Sequence, residues 1–469
     1  MAPTELGAEP RTEPHNPKAG NYSSKGRPAS ATAVAFAAGS AYPRTMSSAA
    51  TVAPVDFATL PFEEKLDRFA RVAVHVGLNL QPGQELVISA TTEMIPLVRR
   101  ITEHAYKAGA LLVTTLYADD ETALARYKFA GDVSFDHAPQ WLADGMAAAF
   151  KSGAARLALT GANPALLAGQ DSSKVSRANI AASKANKPAM ELITRHAINW
   201  SILANATPAW AKLVFPGLPV DEAVEKLWDA IFVASRATSE DPVAAWKQHG
   251  KNLHDRVAFL NDKRFYSLRF HSADGTTDLT VGLADDHLWC GGGGPSGNGV
   301  FCNPNIPTEE CFTTPHKDRV DGFVLASKPL SHQGTLIENI RCRFEGGKIV
   351  EATATAGEDV LNRLISTDEG ARRLGEVALV PASSPIAASG ILFWNTLFDE
   401  NAASHIALGQ AYETCIIDGD QQTPEALAAK GANTSLIHVD WMIGSAVMNV
   451  DGVAADGTSQ PLMRLGEWV

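Results

Sequence analysis

From Thr59 onward the chain alternates between two apolar periods. Phe62, Leu66, Phe69, Ala73 and Val76 recur at steps of four and three, the spacing that lines one face of a helix. Pro61 suits the first turn of that helix, and Gly77 is a natural terminator. Gln81-Pro82-Gly83 then turns the chain into a short apolar strand, Glu85–Ser89. Thr92–Lys107 reads as a second helix, and Ala110–Tyr117 as a strand of the buried type. Helices over Asp119–Ala130, Pro139–Phe150, Ser173–His196 and Val220–Arg236 continue the pattern, with strands at Arg156–Thr160 and Trp200–Ala204. Strands alternating with helices predict βαβ units and a parallel sheet covered on both faces.

The texture changes after a helical connector, Pro242–Leu260. Phe265–His271 and Asp278–Gly282 flank Ala273-Asp274-Gly275-Thr276, a hairpin signal. Strands, turns and glycines dominate from there to the end, with one helix predicted at Glu358–Leu364. The reading is an α/β N-terminal domain with a parallel sheet (56–262), followed by an α+β C-terminal metal-binding domain (263–469). Residues 1–55 are rich in Ala, Ser and Pro without periodicity, and are expected to be a disordered tail. Lys18, Lys25 and Arg27 ahead of Ala31–Ala38 loosely mimic a targeting peptide, but Glu5, Glu9 and Glu13 spoil that resemblance.

Composition narrows the function more than the fold. With 469 residues, 45% of them hydrophobic, the chain can build a large core without a metal or disulfide staple. A metal, if held, is there for chemistry. The net charge is -12 and no basic block occurs, so no nucleic-acid partner is expected. Five cysteines, with no CxxC spacing, point away from a disulfide framework and toward a reducing, cytoplasmic compartment. No run approaches the ~20 apolar residues of a membrane span, so no membrane partner is expected. No GxGxxG follows the first strand, and Gly291–Gly299 lacks the Lys-Ser/Thr ending of a phosphate loop, so it reads as a flexible loop.

The groups able to carry chemistry cluster in the second half. Glu309 and Glu310 lie in NIPTEECFT, Glu376 in LGEVALV, and Asp399, Glu400, His405 and Tyr412 in DENAASHIALGQAY. His438 and Asp440 lie in HVDWMIGS. Taken alone, Glu309 and Glu310 read as a solvated surface pair and His405 as a core histidine. Glu376, inside an apolar strand, must be neutralised or paired. His438 and Asp440 are sharper: residues i and i+2 of a strand share a face, so both can reach one ion, while Val439 points away. Carboxylates with imidazoles are the ligand chemistry of zinc-like ions, and a two-ion site needs a ligand shared between two sets. The other eleven histidines read as structural.

Together these four segments resemble the motifs of the thermophilic-type aminopeptidases, dinuclear metallopeptidases of the aminopeptidase T and S kind. The spacings of 66 from Glu310 to Glu376, 29 to His405 and 33 to His438 agree with that family. The resemblance spans Thr59 to Val469 and implies a two-domain homodimer hydrolysing the N-terminal peptide bond. It implies two divalent ions (Zn, Co or Mn) held by Glu310, Glu376, Glu400, His405, His438 and Asp440, with Tyr412 as the active-site tyrosine. Cys311 stands where related sequences more often carry Val, and its thiol beside Glu310 is expected to make the site oxidation-sensitive. Tyr412 suits an oxyanion donor. The proton shuttle falls to Glu309 or Glu376, and Glu376 is the preferred bridge. A competing reading is a two-metal amidase or deacylase with the same ligands and a different pocket.

Overall fold

The computed structural model describes residue 56 and residues 59–469, apart from 164, 168, 333 and 334; the expected tail lies outside the described residues. The first helix is Phe62–Val72, continued by one π-helical turn, Ala73–Gly77. Its apolar stripe packs Phe69 against Trp228 and Phe232 of the helix Val220–Ala234, with ring centroids 6.4 and 6.0 Å apart. Gly77 does more than end the helix: a Cβ there would lie 2.7 Å from Ser201 Oγ, so only glycine lets the backbone approach the sheet.

Five parallel strands form the first sheet, in the spatial order Leu112–Ala118, Glu85–Thr91, Ala155–Thr160, Trp200–Ala204 and Asn305–Ile306. The βαβ reading thus holds. One detail does not: the strand predicted over Ala110–Tyr117 as buried is the sheet's edge, and Leu112 and Tyr117 are exposed. Its apolar composition suits an interior strand, but its neighbour pairs on one side only. The helix Asp120–Phe129 beside it buries no residue at all.

The opposite edge carries the more consequential feature. Asn305–Ile306 comes from beyond residue 263, after the chain has already built the hairpin Ser267–Ser272 and Asp278–Leu283. Ile306 is fully buried in the same apolar cluster as Leu86, Leu157 and Leu203. Ile386, Phe393, Leu397 and Phe398 join that cluster too, so the second half of the sequence helps to fill the first core.

The remaining described chain forms two large antiparallel sheets and two two-stranded pairs, Leu330–His332 with Thr335–Ile337 and Gly294–Pro295 with Phe301–Cys302. The larger has eight strands, running from Lys348–Thr353 at one edge through the hairpin to Glu467–Trp468 at the other. The smaller has four: Cys311–Thr313, Leu374–Leu379, His405–Gly409 and His438–Met442. Phe270, Leu279, Val281 and Val320 of the larger sheet share a core with Val377, Leu379, Ile406, Leu408 and Trp441 of the smaller. One face of the four-stranded sheet is spent on that core, and the other is left for polar groups. The helix Glu358–Leu364 forms as predicted. Pro208–Val214, Pro385–Ser389, Thr396–Asp399 and Pro424–Ala429 are further helices, too short to leave a periodic signal. The glycine-rich loop is tightly seated where Gly291 meets the site, since a Cβ on that residue would stand 2.6 Å from the Glu310 carbonyl oxygen.

Ile306 should therefore matter to the whole molecule. Ile306→Ala removes a fully buried side chain from the first core and should cost about 2–5 kcal/mol, read as a lowered urea midpoint with an unchanged slope. A midpoint equal to that of the parent would mean that the fifth strand contributes nothing to the first core.

Candidate metal centre

In an antiparallel sheet, directly opposed residues share a face. Glu376 opposes Ala407, and Ala407 opposes Asp440. His405 opposes Ala378 and Met442, and His438 opposes Gly409. Glu376, His405, His438 and Asp440 therefore rise from one face of the four-stranded sheet. Val377, Ile406 and Trp441 alternate to the core, and Val439 packs against the same core, as the strand pattern predicts. Gly375 permits the bulge that sets Glu376 in register, because a Cβ there would meet the Gln410 carbonyl at 2.2 Å. Glu310 reaches the same place from the residue just before Cys311–Thr313.

Two ligand groups result, each with its donor atoms within 4.8 Å of one another: Glu310, Glu376 and His405, and Glu376, His438 and Asp440. Glu376 belongs to both. Its Oε1 lies 3.6 Å from His405 Nε2 and its Oε2 lies 3.3 Å from His438 Nε2. His405 Nε2 is also 3.2 Å from Glu310 Oε2, and His438 Nε2 is 3.6 Å from Asp440 Oδ1. Each imidazole is oriented from behind: Nδ1 of His405 meets the Ala403 carbonyl at 3.2 Å, and Nδ1 of His438 meets the Gln410 carbonyl at 2.7 Å. Both Nε2 atoms are thus aimed at the carboxylates, the orientation found in metal-binding histidines.

The electrostatics fit a cationic occupant. Among the described residues no Lys or Arg forms an ion pair with Glu310, Glu376, Glu400 or Asp440. Burial pushes Glu310 above the usual carboxylate range, with the His405 contact opposing it. Glu400 is pushed well up by burial and then by Glu310 and Asp440. Burial would raise Glu376 as well, but the His405 and His438 imidazoles, 3.6 and 3.3 Å away, hold it below its ordinary value. Burial would depress His438, yet Asp440 and Glu376 drive it up to about 11. His405 is raised well above its ordinary value against burial by Glu310 and Glu376. His438 Nε2 and Asp440 Oδ1 are buried without a hydrogen-bond partner. Buried carboxylates, aimed imidazoles and orphaned donor atoms are what a divalent-ion site requires.

Glu400 and Tyr412 flank these groups. Glu400 belongs to neither group; it sits in the turn Glu400–Ala402 and borders a crevice with Asp440. The Tyr412 ring lies 4.7 Å from that of His438 and 6.1 Å from that of Phe312. Desolvation and the nearby Glu376 and Asp440 push its phenol upward, so it keeps its proton at neutral pH.

Three expectations are corrected. Glu309 and Glu310 are not a solvated pair; both are buried, because their segment passes between the two cores. Glu309 is not a free carboxylate for proton transfer, since its Oε1 lies 2.8 Å from Arg236 and its Oε2 lies 3.6 Å from His249. Cys311 is not an exposed, reactive thiol: it is fully buried among the core residues, and burial pushes it up to about 12, so no thiolate is available for oxidation. Sequence reasoning also misses Ala407, a small residue between Glu376 and Asp440. Its position two residues after His405 on a strand is the available signal. Nothing in the sequence marks Arg236 as the partner of Glu309.

A buried face carrying carboxylates and imidazoles, with one carboxylate shared by two groups, defines the class of metal-dependent hydrolase sites. Residues 62–468 match the family described as Thermophilic metalloprotease (M29). The chain is 54% identical over 408 residues to Aminopeptidase T of Thermus thermophilus, covering 87% of this chain and 99% of that one. It is 45% identical over 407 residues to Aminopeptidase AmpS of Bacillus subtilis, with 87% and 99% covered. The solved structure of wild-type AmpT from Thermus thermophilus matches with a TM-score of 0.82 at 52% identity, over 87% of this chain and 100% of that one. The chain belongs to the M29 metallopeptidase family.

Ala407 offers a test of the site that does not depend on turnover. Ala407→Leu puts a larger side chain between Glu376 and Asp440 while leaving every ligand in place. Bound metal per chain, measured by elemental analysis, should fall by at least half with the far-ultraviolet circular dichroism unchanged. Full metal content in the folded variant would place the ions elsewhere.

Proposed function

We propose that the protein is an aminopeptidase that hydrolyses the N-terminal bond of peptides with two divalent ions, zinc, cobalt or manganese. The observation that carries this reading is Glu376, a single carboxylate reaching both ligand groups on one sheet face. Its relatives over nearly their whole lengths are named aminopeptidases, which supports the substrate class. Glu310 and His405 would hold one ion and His438 and Asp440 the other, with Glu376 shared and Glu400 completing the set. The chemistry supplied by the bound ions is Lewis acidity, which ionises water near neutral pH and polarises the scissile carbonyl.

The side chains supply the rest. The four carboxylates offset the charge of two divalent ions, and the neutral free amine of a peptide is a further donor that such a site would accept, which favours entry by the N-terminal end. Tyr412, protonated and packed on His438, donates its hydroxyl to the oxyanion. Glu309 is occupied by Arg236, so transfer of the proton from water to the leaving amine falls to Glu376, which would free one carboxylate oxygen from its shared position to carry it. We place the enzyme in a reducing, cytoplasmic setting, a reading supported by its five free cysteines. No described helix is long and apolar enough to cross a membrane. Pairing of two copies belongs to the same reading, and the exposed apolar edge at Leu111, Leu112 and Tyr117 is a surface suited to it.

The deciding experiment pairs metal analysis with two substrates, a leucyl anilide and its N-acetylated form. The free amine should be cleaved and the acetylated form spared. Chelation should abolish cleavage, and Zn²⁺, Co²⁺ or Mn²⁺ should restore it, with the fold retained throughout. Preferred cleavage of the acetylated substrate would replace the reading with an amidase or deacylase. Tyr412→Phe keeps the ring, so kcat should drop ~10²–10³-fold with metal content unchanged; loss of metal would make Tyr412 a support for His438 instead. Along the strand His438–Met442, His438→Ala and Asp440→Ala should lose metal and nearly all turnover. Val439→Ala should cost on the order of 1 kcal/mol of stability and little activity. An inactive Val439→Ala beside a fully metallated, active His438→Ala would contradict the strand assignment.

A further inference from the structure

The turn that precedes Glu400 is built in an unusual way. Phe393 is fully buried and stacks on Phe398 with ring centroids 4.6 Å apart. The next residue, Trp394, has φ +57°, the left-handed region that a bulky residue rarely adopts. Asp399 holds it there: its two carboxylate oxygens accept the backbone N–H groups of Phe393, at 2.8 Å, and of Asn395, at 2.9 Å. The same carboxylate is buried and contributes no ligand to either metal group. A tight turn could place glycine at this position without strain; this one carries an indole that makes no ring stacking and no hydrogen bond within the described residues.

Trp394 instead borders two adjoining spaces. One is a cavity of about 650 Å³ at the carboxyl ends of the parallel strands, lined by Thr160, Asn163, Ile202, Leu397 and Glu400. The other is a crevice where Trp394 stands with Leu330, Glu400, Asp440 and Met442. Trp394, Asn395, Thr396 and Glu400 line both, so the indole stands where the cavity adjoins the crevice beside the metal centre. The crevice outside the carboxyl ends of a parallel sheet is where ligands of such folds bind.

We infer that this cavity receives the side chain of the substrate's first residue, and that Trp394 is the wall that sets which side chains are accepted. The inference rests on the aminopeptidase reading. Its direction follows from the two ends of the site. Tyr412, the oxyanion donor of that reading, packs on His438 and is 44% exposed, which leaves an open path for the remainder of the peptide. The crevice lies at the other end of the strand, by Asp440 and Met442, and the cavity lies on the far side of Trp394 and Glu400 from it. Only one residue precedes the scissile bond, so a cavity on that side can take only the first side chain. Its walls offer Trp394, Ile202 and Leu397 as apolar surface and Glu400 as the acidic group at the mouth. Large neutral side chains are therefore favoured, and acidic ones are repelled.

The test compares Trp394→Gly with the parent enzyme, since glycine removes the ring and accepts φ +57° without strain. Aminoacyl anilides with Ala, Leu and Phe, and dipeptides varied at the second residue, are assayed for kcat/KM, with metal content and melting temperature as controls. The Leu-to-Ala and Phe-to-Ala ratios should fall ~10–100-fold, the range that lost apolar pocket contacts produce. Trp394→Phe should keep most of both ratios, and discrimination at the second residue should not change. A parent enzyme that cleaves these substrates, with ratios that survive Trp394→Gly, would overturn the pocket and leave the activity standing. A change in second-residue preference alone would overturn the assignment in the same way. A parent enzyme inactive on every free-amine substrate would overturn the activity reading and the pocket with it.

Discussion

Between the two cores runs one short segment, and the different directions of two consecutive carboxylates within it hold the site together. Ile306 anchors the segment in the first core, and Cys311 anchors it in the second. Glu309 turns toward Arg236 and His249, on elements of the first half, while Glu310 turns toward His405 on the four-stranded sheet. A buried carboxylate costs several kcal/mol unless it is compensated, and the two are compensated by different means. A guanidinium meets Glu309, whereas Glu310 joins a cluster whose charge calls for a cation. The backbone of Glu309 is held as well, its N–H donating to Asn401 Oδ1 at 2.7 Å.

The ligand face is possible because the other face of its sheet is fully spent. Val377, Ile406, Leu408 and Trp441 bury that side against the eight-stranded sheet. The strands are thereby fixed in register, and Glu376, His405, His438 and Asp440 inherit their positions from the ladder rather than from contacts with one another. This matters for a cluster rich in like charge. Side chains that repel would separate if their backbones were free, and the apolar core supplies the restraint.

Much of this is legible in the chain. The steps of three and four from Phe62 to Val76 mark the first helix, and the alternation His438-Val439-Asp440 puts two ligand groups on one face by strand geometry alone. What escapes is long-range. Ala110–Tyr117 has the composition of an interior strand, but its place at an edge depends on strand order, which no local pattern encodes. Glu309 and Glu310 read as a surface pair because adjacent carboxylates usually are one; their burial follows from a short strand that pairs Asn305 with Ile202, far back in the sequence. Trp394 carries no signal, since a left-handed tryptophan is a property of the turn that Asp399 closes.

The stitched segment also makes chain length a chemical quantity. From Ile306 to Cys311 the backbone joins two anchored strands, and the consecutive side chains of Glu309 and Glu310 leave it toward different partners. Substitutions there change one side chain and leave the rest in phase. Removing or adding a single residue would instead exchange the roles of the two acids, presenting one to the arginine's side and the other to solvent-free protein without its partner. Insertions and deletions are usually absorbed at the surface, where loops adjust. Here the connection is anchored at both ends, so functional sequences should tolerate replacements between Ile306 and the two acids and no change in the number of residues.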